Sequence, residues 1–158
     1  CGGVDRRLQQ HGLLPLLGGG KALLLEDYGH HPVELDVTLK AVRSAWPSAR
    51  VVLVFQPHRY SRTLALFEAF CQVLSQFDVL LLLPVYGAGE AWQRGGDSAA
   101  LSQSLKKMGG VSCHLLSDQK ALPALLEGIL QDGDILLMQG AGDIGEMVLS
   151  LSALCVAC

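Results

Sequence analysis

The chain has 158 residues, half of them hydrophobic and 17% charged, with a formal net charge of −3. This is enough chain and enough apolar surface for one domain, residues 1–158, with a substantial core, and it excludes a disordered segment. No basic stripe marks a nucleic-acid binder, and every apolar run falls far short of the roughly 18 residues that span a bilayer.

The chain begins at Cys1 without a signal-peptide pattern, and its first residues read as mid-domain. The expectation is a piece excised from a longer protein. Residues 6–17 and 21–25 flank Gly18-Gly19-Gly20, a turn that tolerates positive φ. This predicts a hairpin and one antiparallel edge strand. The hairpin runs into Glu26-Asp27-Tyr28-Gly29-His30-His31-Pro32, then a helix over 33–45 with Pro32 in its first turn. Apolar runs and helical periods then alternate. Strands are predicted over 51–55, 79–84, 112–116 and 135–139, and helices over 63–75, 98–108, 121–130 and 144–154. Such alternation predicts an α/β domain: a mostly parallel sheet of about six strands, covered on both faces by helices.

Five cysteines, Cys1, Cys71, Cys113, Cys155 and Cys158, follow no disulfide framework, which argues for reduced thiols in a cytoplasmic protein. Cys155 and Cys158 have C-x-x-C spacing but lie at no strand-to-helix turn. They read as small apolar residues on a fraying last helical turn.

Polar residues gather where strands end and helices begin, which is where open α/β sheets bind ligands. Gln56-Pro57-His58-Arg59-Tyr60-Ser61-Arg62-Thr63 follows the third strand. Arg59 and Arg62 sit near a helix start, a place the helix dipole makes unfavourable for cations, so their purpose reads as binding an anion. Asp27, Tyr28, His30 and His31 form a second loaded turn, open to a nucleotide or an anionic substrate; Asp27 or His30 could instead cap the next helix. No third ligand has metal-site spacing. Tyr86 and Glu90 lie beyond the fourth strand, in the irregular stretch 87–96. Gly140, Gly142 and Gly145 match G-x-G-x-x-G after the last strand, with no acidic residue about 20 positions on. That turn reads either as a dinucleotide site or as a tight turn lining a cleft. The sequence holds no G-x-x-x-x-G-K-[ST] loop and no serine nucleophile elbow, which argues against a self-contained hydrolase.

Asp27-Tyr28-Gly29-His30-His31-Pro32, Gln56 to Thr63, Val85-Tyr86-Gly87-Ala88-Gly89-Glu90 and Gln139-Gly140-Ala141-Gly142 together resemble a known pattern. It is that of the C-terminal domain of UDP-N-acetylmuramate–L-alanine ligases, within the bacterial Mur ligase family. Gly3-Val4-Asp5-Arg6-Arg7 resembles the family's passage from central to C-terminal domain, and the likeness runs over about 3–150. Gly87 stands where alanine is expected, and Trp92-Gln93-Arg94 departs from the family's usual loop. The resemblance implies a Rossmann-like three-layer sandwich that closes over N-terminal and central domains absent from this chain. It implies an ATP- and magnesium-dependent ligase of peptidoglycan synthesis in the bacterial cytoplasm, joining L-alanine to UDP-N-acetylmuramate through an acyl phosphate. By the same resemblance Asp27 and Tyr28 face the adenine, and Arg7 reaches the nucleotide phosphates. His30, Arg59 and Arg62 surround the L-alanine carboxylate and the reacting groups, with His58, Tyr86, Glu90, Gln139 and Gly140 as candidates to line the cleft. The fragment alone is expected to be inactive, with neither nucleic acid nor membrane as partner. The alternatives are the ligase that recycles murein tripeptide, which shares the His-His-Pro turn but not the arginine motif, and a non-catalytic Rossmann-like binding module.

Overall fold

The computed structural model describes residues 8–158. Two strands, β1 (Gln9–Pro15) and β2 (Lys21–Asp27), form the expected antiparallel hairpin. Its turn has Gly19 at φ 96° and Gly20 at φ 84°, conformations that disfavour any residue with a Cβ. The chain continues through α1 (Pro32–Ala45), β3 (Val51–Gln56), α2 (Tyr60–Ala65), α3 (Phe67–Leu74), β4 (Val79–Leu82) and α4 (Ser98–Met108). It ends with β5 (Ser112–Leu115), a single 3₁₀ turn at Gln119–Ala121, α5 (Leu122–Ile129), β6 (Ile135–Gly140) and α6 (Ile144–Ser152). The six strands lie in the order β1-β2-β6-β3-β4-β5, with only the β1–β2 pair antiparallel. This is the expected α/β architecture.

Strand periodicity splits the apolar residues between two cores. Leu23, Leu25, Val51, Leu53, Phe55, Leu80 and Leu82 pack with residues of α1, α3 and α4 on one face. Leu24, Val52, Val54, Leu81, Leu136 and Met138 pack with α5 and α6 on the other. Because β3 and β6 are covered on both sides, all six residues of each are buried, so their sequences are continuous apolar runs rather than alternating ones.

Two expectations need correction. The helix predicted over 63–75 is two helices, broken at Leu66, whose φ of −112° and ψ of 24° leave the helical region. The break lets α2 bury Thr63 while α3 turns Phe70, Cys71, Val73 and Leu74 to the core. The C-terminal tail is not a fraying helical turn either. α6 ends at Ser152, and Val156 exchanges two backbone hydrogen bonds with Leu13, of 2.8 and 2.9 Å, covering the outer edge of β1. An unpaired strand edge left open is a template for aggregation. Among the described residues the cysteines are free, and no helix is long and apolar enough to cross a membrane.

Candidate functional site

The carboxyl ends of β2, β3, β4 and β6 point to the same end of the sheet, because β2, β3 and β4 each run parallel to the strand beside them. The turns after these strands therefore meet. After β3, a bridge between His58 and Tyr86 extends the β3–β4 pairing past the strands. The Tyr86 N–H donates to the Pro57 carbonyl and the Arg59 N–H to the Tyr86 carbonyl, each at 2.8 Å. This bridge brings four rings together. Tyr28 meets His30 edge-on at 6.0 Å between ring centres, His30 lies 5.2 Å from His58, and His58 stacks on Tyr86 at 5.5 Å. Arg62, in the first turn of α2, donates through Nη1 to His58 Nδ1 at 3.1 Å.

Arg59 is a non-glycine residue at φ 73° and ψ 135°. Such backbone strain costs of order 1–3 kcal/mol and persists only where neighbours over-determine it. Here the neighbours are the Tyr86 carbonyl on the Arg59 N–H, and the Thr63 N–H and hydroxyl, which both donate to the Arg59 carbonyl at 3.2 and 2.9 Å. Thr63 is wholly buried, so this clamp belongs to the core. The strained residue itself is exposed, on the same turn as His58.

Glu90 holds the start of α2. It crosses from the loop after β4 and accepts from the Ser61 N–H at 3.0 Å and from the Ser61 hydroxyl. These donors hold its carboxyl below the usual carboxylate range, the Ser61 hydroxyl most strongly. Glu90 thus occupies the start of α2, where the helix dipole favours an anion. The anion-binding capacity of this turn therefore rests with the arginine side chains. Trp92 anchors the same loop by donating through Nε1 to Asp97, the N-cap of α4, at 2.7 Å.

The turn after β6 is a packing device. Gln56 at the end of β3 accepts the Ile144 N–H at 3.0 Å through Oε1, which satisfies a donor that a bound phosphate could otherwise take. A Cβ on Gly142 would lie 2.6 Å from the Tyr86 ring and 2.8 Å from Gln56 Oε1, so the glycine is there to admit Tyr86. Of the two readings of this turn, its contacts favour the tight turn over the dinucleotide site. Sequence reading missed Gln56 and Thr63; their only signal was the placement of polar residues at a strand end and a helix start.

Asp27 and Gln139 lie beneath the surface rather than on it, 3% and 0% exposed. The Asp27 carboxylate accepts from the Leu8 N–H at 3.0 Å, the Gly29 N–H at 2.8 Å and the Thr38 hydroxyl at 3.3 Å. Gln139 Nε2 stands 3.5 Å from Asp27, and its Oε1 finds no donor among the described residues. Asp27 therefore shapes the turn, and the exposed Tyr28 presents it. His31, not Asp27 or His30, caps α1: its Nδ1 accepts the Val33 N–H at 3.1 Å, while Glu34 accepts the N–H groups of His30 and His31 at 3.0 Å each. Gly140 is buried at the end of β6, and Arg7 lies outside the described residues. Cavities of about 880, 470 and 280 Å³ lie elsewhere, none lined by His30, His58, Arg59 or Arg62. The assembled site is an open surface. Among the described residues no group of three His, Cys, Asp or Glu is placed to hold a metal ion.

The model of the Mur ligase, glutamate ligase domain, matches residues 6–142. The chain belongs to this Mur ligase family. The fold of this Mur ligase domain recurs in solved structures at low identity. A UDP-N-acetylmuramate–alanine ligase from Thermotoga maritima matches with a TM-score of 0.65 and 21% identity, over 84% of this chain and 26% of that one. A domain assigned to a UDP-N-acetylmuramate:L-alanyl-γ-D-glutamyl-meso-diaminopimelate ligase from Haemophilus ducreyi matches at 0.66 and 17%, over 93% of this chain and 98% of that one. A murein peptide ligase from Psychrobacter arcticus matches at 0.64 and 15%, over 99% of this chain and 31% of that one. This Mur ligase domain thus spans about a quarter of the Thermotoga ligase.

Proposed function

We propose that this chain is the C-terminal, substrate-closing domain of a cytoplasmic bacterial ligase that adds L-alanine to UDP-N-acetylmuramate. The observation that carries the reading is the meeting of Arg62 with His58 and of His58 with His30, beside the exposed Arg59 of the same turn, at the strand carboxyl ends. Two guanidinium groups beside imidazoles suit the carboxylate of an amino acid, since each presents a planar fork of donors. An open surface of this kind needs a second wall, which the N-terminal and central domains of the same protein would supply.

ATP with magnesium would supply the activation of the muramoyl carboxylate as an acyl phosphate. Among the described residues Tyr28 is the one exposed to meet the adenine; Arg7 would complete that side. His30 would hold the incoming amine or its carboxylate in line, and Arg59 and Arg62 would bind the carboxylate. Without a phosphate-binding loop the isolated chain will fold but not ligate. Phosphate release from the pure chain, stimulated by UDP-N-acetylmuramate and L-alanine, would overturn that expectation.

In the full-length ligase, Arg59→Ala and Arg62→Ala will each raise the KM for L-alanine about ten- to a hundredfold, since a charge-assisted hydrogen bond contributes roughly 1.5–3 kcal/mol. The KM for ATP will change much less. Lysine at either position will rescue only in part, because it lacks the fork. A KM for L-alanine within twofold of wild type in both variants would refute the assignment. Incorporation of murein tripeptide in place of free L-alanine would move the protein to the recycling ligase, whose Psychrobacter relative shares the fold.

A further inference from the structure

We propose that His58 is the positioning residue for Arg62, its neutral imidazole holding one arm of the guanidinium so that the rest of the fork faces the substrate carboxylate. This deepens the ligase reading above and rests on it.

The tautomer follows from donor counting. Arg62 Nη1 lies 3.1 Å from His58 Nδ1 and 3.3 Å from the His58 carbonyl. A guanidinium has donors only, so Nδ1 must carry the lone pair and the ring proton must sit on Nε2. Both anchors come from one residue and engage one nitrogen of Arg62, which leaves the other N–H groups for a ligand. The ring itself is fixed. Tyr86 stacks on it with 15° between the planes, His30 flanks it, and Tyr86 is in turn wedged against Gly142. The Tyr86 ring stacked on it, itself backed by Gly142, and the flanking His30 limit how far the His58 ring can turn.

The groups facing His58 are His30 from the turn after β2, Arg59 beside it, Arg62 from α2, and Tyr86 and Glu90 from the loop after β4. Burial, then the charges of His30, Arg62 and Arg59, push its pKa below the ordinary imidazole value of about 6.5, against a weaker pull from Glu90. The sign follows. Above about pH 6.5 the ring is neutral whether Arg62 is held or free, and the grip is complete. As pH falls through the depressed pKa, a proton on Nδ1 breaks the bond and sets two cations together. The grip on Arg62 is therefore present at neutral pH and lost on the acid side.

The test has two arms. Ring-nitrogen NMR of the 158-residue chain near neutral pH will show the Nε2–H tautomer, with a midpoint below that of a histidine in an unfolded peptide; a proton on Nδ1 overturns the proposal. In the full-length ligase, His58→Ala will raise the KM for L-alanine about tenfold, the loss of one charge-assisted bond, with little change in the KM for ATP. His58→Asn, whose Oδ1 falls near the position of Nδ1, will recover most of that loss and abolish the acid-side rise in KM that the wild type shows. An unchanged KM in His58→Ala, or the same acid-side rise in His58→Asn, refutes the positioning role. Should His58→Ala fail to fold, the tautomer and the His58→Asn profile still decide. Should the wild type show no L-alanine-dependent activity, the ligase reading falls, and the tautomer, which needs no substrate, still decides for or against His58.

Discussion

Replacing His30 with alanine in the full-length ligase will lower turnover roughly a hundredfold while the domain stays folded. Its imidazole stands between Tyr28 and His58, on the side of the ring row away from Tyr86. Its backbone N–H is held by Glu34 and stays held in the alanine variant, so the turn survives. On the proposed reading, what is lost is the group that would place the amine beside the activated carboxylate, and misplacement by about 1 Å can cost a hundredfold. His31→Ala is the matched control. It removes the acceptor for the Val33 N–H, which costs about 1 kcal/mol of stability and lowers the melting temperature by roughly 2–4 °C in a domain of this size. Its turnover will stay near wild type. Near-normal turnover of His30→Ala at saturating L-alanine, with a loss in His31→Ala not explained by unfolding, would reverse the two assignments.

Replacing Asp27 with alanine will destabilise the domain by about 3 kcal/mol, because it strands buried donors that bonded a carboxylate. The donors are the Leu8 and Gly29 N–H groups, with the Thr38 hydroxyl and the Gln139 amide close by. The melting temperature will drop by roughly 6–12 °C. Asn will rescue incompletely, since its amide group turns a donor toward one of these N–H groups. Melting of the isolated chain and the KM for ATP of the full-length ligase separate this role from a direct adenine contact. A variant with unchanged melting but a raised KM for ATP would restore Asp27 to the nucleotide.

Much of the candidate site's place at the strand carboxyl ends was legible in the chain. Apolar runs such as Val51 to Phe55 and Ile135 to Met138 read as strands because parallel strands covered on both faces carry little polar alternation. Once strands and helices alternate, the loaded turns must fall at the strand carboxyl ends, which puts His30, Arg59 and Arg62 at one end of the sheet. The helix start was also legible from Pro32, whose missing N–H suits a first turn, but its capping side chain was not: the cap is His31, with Glu34.

The roles of individual polar groups were not legible, because they depend on contacts between residues far apart in the chain. Asp27 ends a strand whose buried face is set by its pairing with β6, so sequence alone could not tell an inward carboxylate from an outward one. Glu90 bonds Ser61, 29 positions away, and Gln56 caps a helix that starts 88 positions later. The positive φ of Arg59 is imposed by Tyr86 and Thr63, and local preference argues against it. The tail lost its helical last turn to the open edge of β1, an edge that exists only once the sheet is built. Local hydrophobic period and turn chemistry thus determined the elements and the sheet end at which the loaded turns gather. Tertiary packing decided which of the polar groups there stay exposed and which hold the others in place, because a buried hydrogen-bonding group takes whatever partner the fold brings to it.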